Sequence, residues 1–198
     1  GCAGRSPTWR TGDGSRRFKG VAAVSPEVLP TTTPEPGSGQ ARRVQLRTVD
    51  DTRAWGVRLG ASLRAGDLLV LGGGLGAGKT TLTQGIAQGL QVRGPITSPT
   101  FVIARVHPSL AGGPDLVHVD AYRLDGLAEL DDLDLDTSLE TAVTVVEWGH
   151  GVAEQLSEDY LELTLSGHDT RTVNLVGHGL RWNAVDAAVV LDNLVSLP

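Results

Sequence analysis

Apolar residues recur along this chain in two periods, and the switches between them outline one α/β domain. Val44-Gln45-Leu46-Arg47-Thr48-Val49 alternates apolar and polar positions, as a half-buried strand does. Trp55, Leu59 and Leu63 then fall four apart, which predicts a helix capped by Asp50 or Asp51 and ending at Gly66. Asp67-Leu68-Leu69-Val70-Leu71 reads as a short buried strand. After it, Leu82, Ile86 and Leu90 mark one face of a helix over Thr81–Leu90. Further strands are predicted at Phe101–Val106, Leu116–Ala121 and Val143–Glu147. A hairpin follows, Tyr160–Leu165 and Thr172–Val176 joined through Gly167-His168-Asp169, and a mostly aliphatic helix runs from Ala184 to about Val195. The expected fold is α/β: a mixed, mostly parallel sheet with flanking helices and an antiparallel hairpin near the C-terminus.

Residues 1–41 lack either period. They mix Gly, Ser, Pro and Arg, and Pro30-Thr31-Thr32-Thr33-Pro34-Glu35-Pro36-Gly37-Ser38-Gly39 has nothing with which to build a core. Such a segment cannot offset its ordering entropy, so it reads as a disordered extension ahead of a single domain over 42–198. Arg16, Arg17 and Lys19 make it locally basic, which a solvated arm explains.

The 198 residues carry a formal net charge of -6, with a pI near 5.3. A protein that grips nucleic acid unaided usually has a basic surface, so any contact with RNA is expected to be indirect. Cys2 is the only cysteine, which excludes a disulfide framework and a thiolate zinc site and fits a reducing, cytoplasmic setting. No apolar stretch is long enough to span a membrane. Arg5 stands where a myristoylation signal wants Ser or Thr, and no secretory signal is evident. A chain with no methionine, even at position 1, reads as a fragment or a processed product.

The chemistry centres on Gly73-Gly74-Leu75-Gly76-Ala77-Gly78-Lys79-Thr80, the pattern G-x4-G-K-[ST] of a phosphate-binding loop. Lys19 and Lys79 are the only lysines; every other basic residue of the K/R type is arginine. A chain that avoids lysine yet keeps one here needs a compact ammonium, in the position that reaches β- and γ-phosphates. Thr80 would offer its hydroxyl to Mg²⁺, and a strand before the loop with a helix after it is the context the motif requires.

A triphosphate site also needs carboxylates for metal and water. Asp120 ends Leu116-Val117-His118-Val119-Asp120, and Glu147 ends Val143-Thr144-Val145-Val146-Glu147. Each either serves a nucleotide at the carboxyl edge of the sheet or caps the next turn. Ser98-Pro99-Thr100 stands equally as a γ-phosphate switch or as a plain turn. His118 shares a strand face with Asp120, where it either orients that acid or is a satisfied structural histidine. His107, His118, His150, His168 and His178 have no metal-ligand spacing. Glu129-Leu130-Asp131-Asp132-Leu133-Asp134, with Leu127, Leu130 and Leu133 at helical spacing, reads as a solvated amphipathic helix.

Four motifs in order take the chain beyond a generic nucleotide binder. Gly73-x-Leu75-Gly76-Ala77-Gly78-Lys79-Thr80-Thr81, Ser98-Pro99-Thr100, His118-x-Asp120-x-Tyr122-Arg123-Leu124 and Val146-Glu147-Trp148 resemble the TsaE family, bacterial P-loop ATPases of tRNA threonylcarbamoyladenosine (t6A) synthesis. The resemblance covers roughly Val44 to Val176. It implies a P-loop NTPase fold and an ATPase acting with TsaD and TsaB, touching tRNA only through that complex. It further implies that residues 73–81 and Thr100 bind ATP, that Thr80, Asp120 and Glu147 hold Mg²⁺, and that Asp120 and Glu147 are catalytic. Trp148 matches the family without an evident role beyond packing. Gly74 departs from it, standing where the family usually has an acid.

Three other classes can be set against an ATPase, and the first of them fails. A GTPase would need Asn/Thr-Lys-x-Asp after the loop, and no lysine follows Lys79. A small-molecule kinase would need an arginine-bearing lid, whereas Arg93, Arg105 and Arg123 are scattered. A non-catalytic, nucleotide-gated interaction module would share every site residue with the ATPase.

Overall fold

The structure, a computed structural model, describes residues 41–98, 104–123, 136–151, 155–183 and 192–194. The N-terminal extension up to residue 40, Thr100, the start of the strand expected at Phe101 and the acidic helix around Leu130 lie outside them. So does the aliphatic C-terminal helix, apart from Asp192–Leu194, which are helical.

Strand β1 (Arg42–Leu46) leads into helix α1 (Val49–Ser62). The helix starts earlier than the acids at 50 and 51 suggested. Thr48 is the N-cap: its Oγ1 accepts from the Asp51 N–H at 2.9 Å, while Asp51 Oδ2 accepts from the Thr48 N–H at 3.0 Å. This reciprocal box moves the acid from the cap to the third helical position and ends β1 at Leu46 instead of Val49. Strand β2 (Leu68–Gly72), helix α2 (Lys79–Gly89), β3 (Ala104–His107), β4 (Leu116–Asp120), a 3₁₀ turn (Ala121–Arg123), α3 (Asp136–Thr141) and β5 (Val143–Glu147) follow. The hairpin β6 (Tyr160–Ser166) and β7 (Arg171–His178) and the short helix α4 (Gly179–Asn183) complete the elements.

The seven strands form one sheet in the order β1-β7-β6-β2-β5-β4-β3. Its centre is parallel, with β6, β2, β5 and β4 running together. Both flanks are antiparallel, β7 with β6 and β1 on one side and β3 with β4 on the other. The predicted mixed α/β sheet is therefore present. The hairpin is built into the sheet, with β6 hydrogen-bonded directly beside β2.

Strand alternation divides the core in two. Leu69, Leu71, Val143, Val145, Leu161, Leu163, Val173 and Leu175 meet Trp55, Leu59, Leu82 and Ile86 of α1 and α2. Leu68, Val70, Val117, Val119 and Val146 fill the opposite face. The two helices touch through glycine: a Cβ at Gly56 would come 2.7 Å from the Leu82 carbonyl, and Gly60, Gly85 and Gly89 make similar backbone approaches. The Trp55 indole donates to the Leu194 carbonyl at 2.9 Å, and Arg181 forks onto the buried Asp67 at 2.9 and 3.1 Å. These contacts tie the C-terminal residues back to α1 and to the start of β2. Among the described residues, no helix is long and apolar enough to cross a membrane.

Candidate functional site

Between β2 and α2 the chain turns on three glycines in the left-handed region, with φ of 129° at Gly73, 76° at Gly76 and 103° at Gly78. Gly73 is required twice over, because a Cβ there would collide with the Leu165 carbonyl of β6 and sit 3.3 Å from Ala77 Cβ. Gly78 is the N-cap of α2 and supplies no side-chain cap, so the helix presents its first N–H groups outward, at its positive end. Gly74 is different. Nothing lies within 4 Å of a Cβ at that position, so the fold has room for the acid found there in the resembling family.

Lys79 turns back over this loop. Its Nζ donates to the Gly73 carbonyl at 2.7 Å and the Gly74 carbonyl at 3.0 Å, and lies 3.6 Å from the centroid of the Trp148 ring. The residue is only 5% exposed, and this burial lowers its pKa below 10.5, with the negative charges of Glu147 and Asp120 opposing the shift. Trp148 is set by its own backbone: φ is 62°, uncommon for a bulky side chain, and its N–H donates to Leu71 at 3.0 Å. Tyr122 supports the indole, with ring centroids 5.2 Å apart. Trp148 thus covers the lysine, a role that packing alone did not predict.

Asp120 and Glu147 end adjacent parallel strands and are partners in register. Glu147 is 2% exposed and accepts from Thr80 Oγ1 at 3.2 Å and Thr83 Oγ1 at 3.3 Å, one helical turn apart on α2. His118 Nε2 lies 2.9 Å from its Oε1, which makes the tautomer with a proton on Nε2 the natural donor. The histidine therefore meets Glu147, not Asp120 as its strand face suggested. Register explains this: His118 is opposite Val145, and the longer glutamate reaches back along its strand, whereas Asp120 turns onto the Tyr122 N–H at 3.0 Å. Ser98 Oγ also reaches Asp120, at 3.4 Å.

The Thr80 hydroxyl with these two carboxylates is a hard oxygen set, suited to Mg²⁺ that completes its shell with phosphate oxygens and water. The described residues contain no cluster of three His, Cys, Asp or Glu that would cage a metal without such help. Leu75, Ala77, Lys79, Thr80, Thr81 and Trp148 line a cleft of about 390 Å³, with Ser98 and Glu147 at one side. The predicted site residues that the structure describes fall within or beside this region, and Thr100 lies outside the described residues. Two contributors were missed. Thr83 is signalled only by being one turn beyond Thr80. Arg171 also lines the cleft, and its signal is an arginine that continues the apolar period of Val173 and Leu175.

A family described as "Threonylcarbamoyl adenosine biosynthesis protein TsaE" matches residues 46–173, from the end of β1 into β7. The chain is similar to the tRNA threonylcarbamoyladenosine biosynthesis protein TsaE of Streptomyces coelicolor, 57% identical over 145 residues, covering 70% of this chain and 98% of that one. The protein of the same name from Bacillus subtilis is 36% identical over 146 residues, covering 71% and 90%. The crystal structure of Bacillus subtilis YdiB superposes with a TM-score of 0.61 at 29% identity, covering 78% of this chain and 94% of that one. Since the matched span contains the glycine loop, Asp120, Glu147 and the sheet that aligns them, the chain belongs to the TsaE family, named for threonylcarbamoyladenosine biosynthesis.

Proposed function

We propose that this chain binds ATP with Mg²⁺ at the Gly73–Thr80 loop and hydrolyses it in the cytoplasm, together with TsaD and TsaB, during formation of t6A on tRNA. The observation that carries the reading is Glu147. A carboxylate this buried, tied to Thr80 at the mouth of a glycine loop, has a purpose when metal and phosphate share that oxygen set.

In this reading the backbone N–H groups at the start of α2 cradle the phosphates, and Lys79 leaves its two carbonyls for the β- and γ-oxygens. Thr80, Asp120 and Glu147 would hold Mg²⁺, which would neutralise charge developing on the transferred phosphoryl group. His118 and Thr83 fix the Glu147 carboxylate, so that it can orient an attacking water without reorganising. Thr100 fits a switch that senses the γ-phosphate. The acidic surface gives tRNA little purchase, so the RNA would be held by the partners.

Phosphate release under multiple turnover, with and without the TsaD–TsaB pair, tests the proposal. The chain alone should be slow, and the pair should stimulate it only while Lys79 is intact. Asp120→Asn and Glu147→Gln should each lower turnover by at least ~10²-fold with a smaller change in ATP affinity, because they remove charge needed mainly in the transition state. Phosphorylation of a small metabolite by the isolated chain would favour a kinase instead. Sustained tRNA modification without phosphate release would make it a nucleotide-gated module.

A further inference from the structure

Residues 91–98 lead from the end of α2 to Ser98, whose hydroxyl meets Asp120. The backbone ties down only the start of this segment: Val92 bridges Ser109, and the Arg93 N–H donates to the Pro108 carbonyl at 2.8 Å. Among the described residues, no backbone group from Gly94 to Thr97 pairs with another backbone group. Side chains hold the segment instead. His107 Nδ1 lies 3.2 Å from the Arg93 carbonyl, Gln84 Nε2 donates to the Ile96 carbonyl at 3.0 Å, and Arg105 Nη1 donates to Thr97 Oγ1 at 3.4 Å.

Of these three side chains, only Gln84 belongs to the helix that the glycine loop opens, one turn beyond Thr80 on the same face. Its Oε1 accepts from Arg53 Nη2 of α1 at 3.4 Å, and Arg53 Nη1 reaches Asp50 Oδ1 at 3.4 Å. These partners fix which way round the amide lies. Turned over, its NH₂ would face the guanidinium and its oxygen would face the Ile96 carbonyl. One amide thus joins α1, α2 and the segment. The Ile96 side chain packs into the core, so this point of the segment is held from both sides. Two residues extend at most ~7 Å, so fixing Ile96 sets where Ser98 can stand.

We propose that Gln84 is a positioning residue for ATP hydrolysis: by donating to Ile96 it holds the segment against α2 and so places Ser98 on Asp120. The start of α2 then reaches the two acids by separate branches. Thr80 meets Glu147 directly, whereas Gln84, a turn later, meets Asp120 through Ile96 and Ser98. Donation is the property that matters. Gln84→Glu keeps the size and the Arg53 contact but sets a carboxylate oxygen against the Ile96 carbonyl. The inference rests on the reading of Asp120 as an acid of an ATPase site and of Ser98-Pro99-Thr100 as its γ-phosphate switch.

The test compares wild type with Gln84→Glu, Gln84→Met and Gln84→Lys in a thermal melt, in ATP affinity with Mg²⁺ and in phosphate release with the TsaD–TsaB pair. Gln84→Glu and Gln84→Met lack the donor. Each should slow turnover roughly three- to tenfold, as the loss of one hydrogen bond does, with ATP affinity held within about twofold. Gln84→Lys restores a donor and should recover most of the turnover. Amide hydrogen exchange on the nucleotide-free protein adds a readout independent of activity: residues 96–98 should exchange faster in Gln84→Glu, while α1 and the rest of α2 keep wild-type rates. Wild-type turnover in Gln84→Glu overturns the assignment. So does an equal loss in Gln84→Lys, which would make the residue a matter of packing, or a loss of ATP affinity as large as that of turnover, which would make it a prop for the loop. A wild-type chain that binds no ATP sinks the nucleotide reading instead, while the exchange rates still decide whether Gln84 holds the segment.

Discussion

Lys79 holds its charge where water reaches it poorly, between two loop carbonyls and an indole face. The folded chain therefore favours the neutral amine more than the unfolded chain does, and the pKa falls below 10.5. The sign of the linkage follows. Between the folded-state pKa and 10.5 the unfolded state binds more protons at this site, so stability rises with pH across that window. Urea denaturation of wild type and Lys79→Met, without nucleotide and from about pH 7 upward, isolates the effect. The difference should shift in favour of wild type as pH rises and level off once the unfolded lysine has titrated. A flat or opposite trend would mean that the carbonyls and the indole solvate the ammonium as well as water does. A phosphate group bound at the loop would add negative charge beside the amine and so oppose the shift. The lysine itself was readable from the sequence, because its rarity and its spacing both point to one chemistry. His118 and Arg171 were not: what they touch depends on which strands lie beside theirs, and adjacency is invisible in a linear pattern.

Elements show the same division. The spans of β2, β4 and β5 were legible because short runs dominated by aliphatic residues have few other uses in a short chain. The start of α1 was misplaced because Thr48 and Asp51 exchange hydrogen bonds as a pair, whereas a cap search weighs single residues. The position of β6 next to β2 was also unreadable, since a hairpin signal says only that two strands meet each other. The contact between α1 and α2 offers a sharper test. Gly56, Gly60, Gly85 and Gly89 let the two backbones approach until one helix's carbonyls touch the other's Cα atoms. In an isolated helix, glycine to alanine would be worth up to ~1 kcal/mol of stabilisation. Here a methyl at Gly85 would press into the Arg53 carbonyl and stand 2.9 Å from Gly56 Cα, neither of which a rotamer change can relieve. Gly85→Ala should therefore destabilise the domain by about 1–3 kcal/mol in urea denaturation, the usual range for overpacking. Because α2 begins at Lys79, separating the helices also shifts the loop, so nucleotide affinity should fall in the same variant. A stabilised Gly85→Ala would mean that the helices are not in backbone contact.

For the whole molecule, the family match and the first described strand start within a few residues of each other. The match starts at residue 46, β1 begins at Arg42, and Val44 and Leu46 are the first core residues among those described. β1 is an edge strand held by β7, whose first residue, Arg171, pairs with Leu46 and lines the cleft at the glycine loop. A cut within β1 would expose the edge of β7 and loosen Arg171, whereas a cut just before it removes only sequence with no apolar period. Deleting residues 1–41 should therefore leave ATP affinity within about twofold of the full chain and sustain the same tRNA modification with TsaD and TsaB. The assay is reconstitution with unmodified tRNA, threonine, bicarbonate, ATP, the carbamoyl-AMP-forming enzyme and the partner pair. A deletion that also takes Arg42–Leu46 should lose nucleotide affinity and stability together, because it removes a strand of the sheet. If the shorter deletion already abolishes modification while ATP binding persists, the extension contacts a partner. If it abolishes ATP binding as well, the extension belongs to the fold, and the boundary read from the apolar pattern is wrong.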